Sequence, residues 1–199
     1  MGRALLEWDE WQPGLDTDDM ALCDVLATMP KSDADAVPDI VKKYENPKSP
    51  DALPGAIELD RHDCLHVILG RGLHVQDEAF IIGATMGADT NMTGEITEEF
   101  IRISTALYPP AWRFKPDHIA SFRLGVGFSM DNLAGVNLHL IPFEGEPYQS
   151  QKVSTLRKDL KVPKEELRAY FRKEELLVPG SRATRRLDSL KGREDKDLT

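Results

Sequence analysis

Cysteine is almost missing from the sequence: Cys23 and Cys64 are the only two in 199 residues. Two thiols cannot staple a fold, so a disulfide framework is excluded and a reducing, intracellular setting is expected. Long apolar runs are missing as well. No stretch approaches the roughly 20 residues that a membrane-spanning helix needs. Positive charge is in deficit, with 25 Lys and Arg against 34 Asp and Glu and a formal net charge of −9. Nucleic-acid binding depends on clustered cations that displace counterions, which excludes such a partner. Docking on anionic lipid needs the same cations, so membrane contact is left to apolar groups and is peripheral. The first twenty residues carry Glu7, Asp9, Glu10, Asp16, Asp18 and Asp19, the opposite of a basic leader. The expectation is a cytoplasmic chain that reaches the inner face of the membrane only as a peripheral protein.

What is present suits a globular fold. Hydrophobic residues make up 41% and charged residues 30%, the balance of one soluble domain with a real core. The pattern predicts an all-α, single compact helical domain over residues 1–180, followed by a charged tail over 181–199 that is too poor in large apolar residues to order alone. Prolines 13, 30, 38, 47 and 50 break the first fifty residues, leaving room for two short helices, Asp18 to Met29 and Asp33 to Lys43. Helical periodicity then predicts Ala56 to Leu69, stopped by Gly70-Arg71-Gly72, and Val75 to Met86, stopped by Gly87. Thr93 to Tyr108 follows, with Thr93 as N-cap and Ile96, Phe100, Ile103 and Leu107 as its stripe. Asp117 to Met130 is a further helix interrupted by Gly125 and Gly127, which allow close backbone approach. Asn132 to Phe143 reads as a short extended segment or a loop. Gln149 to Leu160 and Lys164 to Leu177 are polar helices around Pro163, a good first helical position.

Chemistry concentrates in His62-Asp63-Cys64-Leu65-His66 and in Glu78. On a helix, residues four apart share a face, so His62 and His66 project together and can share one ion. Asp63 neighbours that face. Glu78 falls on the next helix among Val75, Ile81 and Ile82, where a carboxylate is costly to bury without a cation or hydrogen bonds. With the glycine turn folding one helix back on the other, His62, Asp63, His66 and Glu78 are the candidate metal ligands and candidate catalytic residues. Two imidazoles with one or two carboxylates suit one divalent ion, Zn first, with Mn, Fe, Co or Mg as alternatives. Isolated His74, His118 and His139 are read as structural. The zincin pattern needs Glu where Asp63 stands, one methylene longer, and the HD-type phosphohydrolase pattern needs an upstream histidine, whereas His62 is the first in the chain.

The stretch His62-Asp63-x-x-His66-x11-Glu78 resembles the signature of the Coq4 family of ubiquinone-biosynthesis proteins. The resemblance is close over about Leu59 to Met86. Leu53-Pro54-Gly55 is a reduced counterpart of the family's upstream Leu-Pro-Glu-Gly-Ser-Leu-Gly segment, and residues 1–50 diverge. Ser154-Thr155-Leu156-Arg157-Lys158-Asp159-Leu160 is similar to the family's C-terminal Leu-Arg-x-x-Leu helix. The resemblance implies a helical protein holding one divalent metal beside an apolar channel for a polyprenyl tail, for which Phe80, Ile81, Ile82, Met86 and Met130 are candidate linings. It further implies a polyprenyl lipid or prenylated quinone precursor as ligand, quinone-biosynthesis enzymes as partners, and a homodimer among the assemblies it admits. Two functions follow from it: a metal-dependent oxidative decarboxylase acting at ring C1 of coenzyme Q precursors, or a non-catalytic prenyl-lipid-binding scaffold that organises the enzymes.

Overall fold

A computed structural model describes residues 10–30, 37–133, 135–162, 164–181 and 183–184. The acidic residues among the first nine, the expected helix start at Asp33, Pro163 as a helix opener and the charged tail from residue 185 lie outside the described residues. Within them the protein is all-α and compact. The helices are α1 (Leu22–Leu26), α2 (Asp39–Glu45), α3 (Leu59–Leu69), α4 (Val75–Ala88), α5 (Gly94–Ala106), α6 (Pro116–Asn132), α7 (Val153–Asp159) and α8 (Lys164–Leu177). The described residues contain no strand, only an isolated antiparallel bridge between Ala21 and Lys152.

Helix α4 is the axis of the fold. It is apolar almost all round, which places a helix inside a core and not on its surface, and Ala79, Phe80, Ile81, Ala84, Met86 and Ala88 are all buried. Its closest neighbour is α6, and small residues set how close. A Cβ on Gly83 would lie 2.2 Å from the Phe122 carbonyl oxygen, and one on Gly125 would lie 2.2 Å from that of Phe80. Any side chain there would force the two backbones apart. Gly87 meets Val126 in the same seam and sits inside α4, which runs on to Ala88; it is not the helix stop that its type suggests. Nor do Gly125 and Gly127 interrupt α6. Gly125 gives the close approach, whereas Gly127 has only the Tyr170 hydroxyl near it, at 3.8 Å.

Local signals were strongest where the backbone needs a particular residue. Gly70 takes the left-handed conformation, with φ of 70°, and ends α3 with amide bonds from the turn to the His66 and Val67 carbonyls. Thr93 caps α5 by accepting the Ile96 amide. The stripe of α5 ends differently from its expected course. The helix stops at Ala106, the phase is lost, Leu107 is 52% exposed, and Tyr108 is the residue that enters the core. Asn132 ends α6, and among the described residues the stretch from Leu133 to Phe143 is a loop carrying a 3-10 turn, Leu138–Leu140.

Helices α1 and α7 are shorter than the expected Asp18 to Met29 and Gln149 to Leu160 because their flanks are used across the chain. The Leu22 amide donates to Gln151, Cys23 to Gln149, Val153 to Met20 and Ser154 to Asp18. Those backbone groups cannot also serve an intrahelical ladder. The ladder fastens the N-terminal segment to the start of α7.

Candidate metal centre

The α3–α4 hairpin brings together three of the four expected residues. The Glu78 carboxylate sits between two imidazoles, with Oε2 2.8 Å from His62 Nε2 and Oε1 3.4 Å from His66 Nε2. The rings of His62 and His66 are 4.9 Å apart, as the i, i+4 spacing on α3 requires. One ligating atom from each of the three side chains falls within 4.8 Å of the other two, a group able to hold a metal ion. Bonds of about 2.0–2.1 Å to a transition metal put neighbouring ligand atoms about 3–4 Å apart, so little movement is needed to close on an ion. Asp63 is not in this cluster. One residue along a helix turns the side chain by about 100°, which swings Asp63 off the face that His62 and His66 share.

The polar atoms of His66 are poorly served by the protein. The side chain is 0% exposed, and neither Nδ1 nor Nε2 makes a hydrogen bond; the 3.4 Å approach of Nε2 to Glu78 is an ion-pair contact only. The Trp11 ring stands edge-on to the His66 ring at 6.5 Å, its Nε1 donating to Thr28. Buried polar groups are almost always hydrogen-bonded; His66 shares its lack of a partner with other buried side chains, Arg71 and Ser129 among them, and is set apart by facing Glu78 inside a three-residue donor cluster. Glu78, with its side chain 31% exposed, is the side of the cluster open to solvent.

The charges around the cluster are mostly of one sign. Burial alone would lower the His66 pKa, but Glu78, Asp63 and Asp77 overcome it and raise it to about 8. Burial would raise Glu78, yet His66 and His62 hold it far below the usual carboxylate range. Burial raises Asp63, with His62 and His66 pulling against it and Glu78 and Asp60 adding to it. Asp63 therefore belongs to the electrostatic surroundings of the site. A further carboxylate, Glu45 at the end of α2, is driven up to about 7 by burial, against its hydrogen bond from Tyr108 and the pull of His62, with Glu78 adding repulsion. Sequence reasoning missed Glu45: it lies in a proline-broken segment with no motif around it, and its partner Tyr108 is 63 residues away. Cys64 is no ligand. Its thiol donates to the Asp60 carbonyl, and burial pushes its pKa to about 12.

The donor set, the orphaned imidazole and the surplus of carboxylates all fit a divalent cation. Two further contacts hold the frame. Arg157 Nε donates to the Ile68 carbonyl at 2.8 Å and Nη2 to that of Val67 at 3.2 Å, satisfying the open end of α3 just beyond His66, while Nη1 pairs with Asp18. Thus the Leu156-Arg157-x-x-Leu160 element buries both leucines and uses its arginine to grip the helix that carries the imidazoles.

The other histidines have other surroundings. His118 Nδ1 accepts the Lys115 amide as part of the cap of α6, and His139 Nε2 lies 3.6 Å from Asp89. The expected channel linings are divided among environments: Phe80 and Ile81 fill the main core, Met86 and Ile82 belong to a second core with Phe100 and Phe122, and Met130 is 63% exposed. No helix among the described residues is long and apolar enough to cross a membrane. No family model, curated protein or solved structure matches the chain.

Proposed function

We propose that this chain is a Coq4-like protein of ubiquinone (coenzyme Q) biosynthesis in which His62, His66 and Glu78 hold one divalent metal ion, Zn first, and which supports oxidative decarboxylation at ring C1 of a prenylated precursor. The observation that carries the metal reading is His66: a fully buried imidazole without a hydrogen bond, opposite a carboxylate shared with His62. The quinone reading rests on the spacing of His62, Asp63, His66 and Glu78 and on the buried Leu156-Arg157-x-x-Leu160 element.

A bound metal ion supplies Lewis acidity toward a ring oxygen and stabilises the negative charge that builds as a carboxyl group leaves. The protein's own residues do the rest. Glu78 and the two imidazoles orient the ligand, and the open side of Glu78 admits it. Asp63, beside the cluster and outside its ligating atoms, is placed to hold or release a proton. Val75 and Ile82 flank Glu78 on α4 and, with Leu53 and Met92, are only partly buried around the second core. They offer an apolar bed for a prenyl tail, a better one than the closed packing of Phe80 and Ile81.

The test joins metal analysis and mass spectrometry of co-purified lipid with His66→Ala in a cell that depends on this gene. Loss of metal, loss of quinone and accumulation of a carboxylated precursor are expected. Loss of lipid or partner binding without that precursor would favour the scaffold, and undiminished quinone would overturn the metal-centred function.

A further inference from the structure

A metal-ligating histidine is ordinarily aimed by its second ring nitrogen, which donates to a carboxylate, a carbonyl or water and so fixes the tilt of the ring. His66 has no such tether in the protein. Its Nε2 is the nitrogen that approaches Glu78, at 3.4 Å, while its Nδ1 is buried without a hydrogen bond. The tilt of this ring is therefore left to packing, and two aromatic rings stand against it. One is its fellow ligand His62, at 4.9 Å; the other is Trp11, edge-on at 6.5 Å and 68°, within the range of a favourable ring contact.

Trp11 is held rigidly. It is 1% exposed, and its Nε1 donates to Thr28 Oγ1 at 3.0 Å, the threonine hydroxyl donating in turn to the Val25 carbonyl at 2.7 Å. The residues that follow it are seated on the end of α3. A Cβ on Gly70 would lie 2.6 Å from Leu15 Cδ2 and 2.8 Å from the Gly14 carbonyl oxygen. The Arg157 guanidinium that holds the Val67 and Ile68 carbonyls also donates to those of Leu15 and Gly14, each at 3.3 Å. The indole is thus anchored on one side through Thr28 to the turn after α1, and on the other through Gly14 and Leu15 to the helix that carries His66.

We infer that Trp11 is a positioning residue of the metal centre: its indole, in place of the usual hydrogen bond, sets the tilt of the His66 ring and keeps water from that side of it. This rests on the metal reading of His62, His66 and Glu78. It gives the N-terminal segment, which carries no motif of its own, a part in that site.

The test uses Co2+ in the full-length chain, because its visible absorption reports coordination: four ligands give intense bands, and an added water weakens and moves them. Co2+ is titrated into wild type, Trp11→Leu and Ile103→Ala, with thermal melts of each metal-free protein. Trp11→Leu keeps the position apolar but leaves part of the indole volume open. Its Co2+ affinity is expected to fall about tenfold or more, the size of effect that groups around a metal's direct ligands have, with weaker and shifted bands. Ile103→Ala, a truncation in the separate core of Val41 and Tyr108, is expected to melt earlier and to keep the wild-type bands and affinity. Unchanged bands and affinity in Trp11→Leu overturn the inference. So does an equal loss in Ile103→Ala, which marks a general effect of lowered stability. If Trp11→Leu does not fold, Thr28→Val decides: it keeps the indole and removes the hydrogen bond that orients it, and a band shift supports the inference whereas wild-type bands overturn it. Wild type that binds no Co2+ overturns the metal reading and this inference together.

Discussion

Two buried polar clusters share the α3–α4 hairpin, and they are completed in opposite ways. Gln76, Asp77 and Glu78 are consecutive, yet helical rotation sends the first two toward Arg71 and the third toward the imidazoles. On the Arg71 side, Glu174 of α8 is saturated: it pairs with Arg71 and accepts from Gln76 at 2.9 Å and from Ser121 of α6 at 2.5 Å. Arg71 is clasped between the rings of Phe80 and Phe171, its guanidinium carbon 3.6 Å and 4.3 Å from their centroids. Side chains from α4, α6 and α8 thus close on one ion pair with no exposure. On the other side a single carboxylate is divided between two imidazoles, one of them without a hydrogen bond, while further carboxylates crowd in. The first arrangement is an ion pair closed by aromatic faces and by a carboxylate whose acceptors are filled, although Arg71 Nε and Nη2 make no hydrogen bond. The second is complete only with a ligand, and this contrast, more than the presence of buried charge, separates a candidate site from a scaffold.

The largest effect that tests the contrast is on stability. Glu174→Gln leaves buried Arg71, which cannot lose its proton, with only the 3.9 Å approach of Asp77 as counter-charge, and is expected to cost about 3 kcal/mol in denaturant unfolding. Glu78→Gln in the metal-free protein is expected to cost distinctly less, because both imidazoles can become neutral. Equal losses would break the distinction between clamp and site.

A smaller effect sharpens it. Both clusters depend on the position of α4, which the seam with α6 sets. Gly125→Ala must push a methyl group into the Phe80 carbonyl and is expected to cost about 1–3 kcal/mol while weakening metal binding as well. Gly127→Ala, two residues on and outside the seam, is expected to be neutral or to gain up to about 1 kcal/mol from the better helix former. Parallel thermal melts of the two variants decide it.

The smallest effect is the pH profile. The His66 pKa is raised from 6.5 to about 8 in the folded protein. The stability this provides is fully present below pH 6.5 and is lost as pH rises through 8. Glu45, raised from 4.5 to about 7, acts in the same direction, its contribution present below 4.5 and lost through 7. The depressed Glu78 matters only in acid, below its ordinary 4.5. The metal-free protein is therefore expected to melt at progressively lower temperature from pH 5 to 8. Metal affinity should climb over the same interval as imidazole protons leave. Melts with and without Zn2+ across this range would diverge; parallel curves would count against a metal at these nitrogens.

The parts legible in the sequence are those set by neighbours along the chain. His62 and His66 share a face by spacing alone, Glu78 is brought near by a tight turn ended at Gly70, and Thr93 caps its own helix. What stayed hidden is contact over distance. Nothing near Glu45 announces Tyr108, and nothing near Arg71 announces Glu174, 103 residues later. The turn glycines could be read, but the seam glycines required knowing that α6 lies on α4. Asp63, expected as a ligand because it stands three residues before His66, lies outside the ligating cluster of His62, His66 and Glu78.

The grip of Arg157 on the end of α3 has a consequence for how the centre comes into being. The carbonyls of Val67 and Ile68 wait for a side chain 90 and 89 residues further along. During synthesis, both imidazoles and Glu78 leave the ribosome long before Arg157 exists. The helix that presents them is secured only after Arg157 has followed, so an ion captured earlier meets an unanchored hairpin.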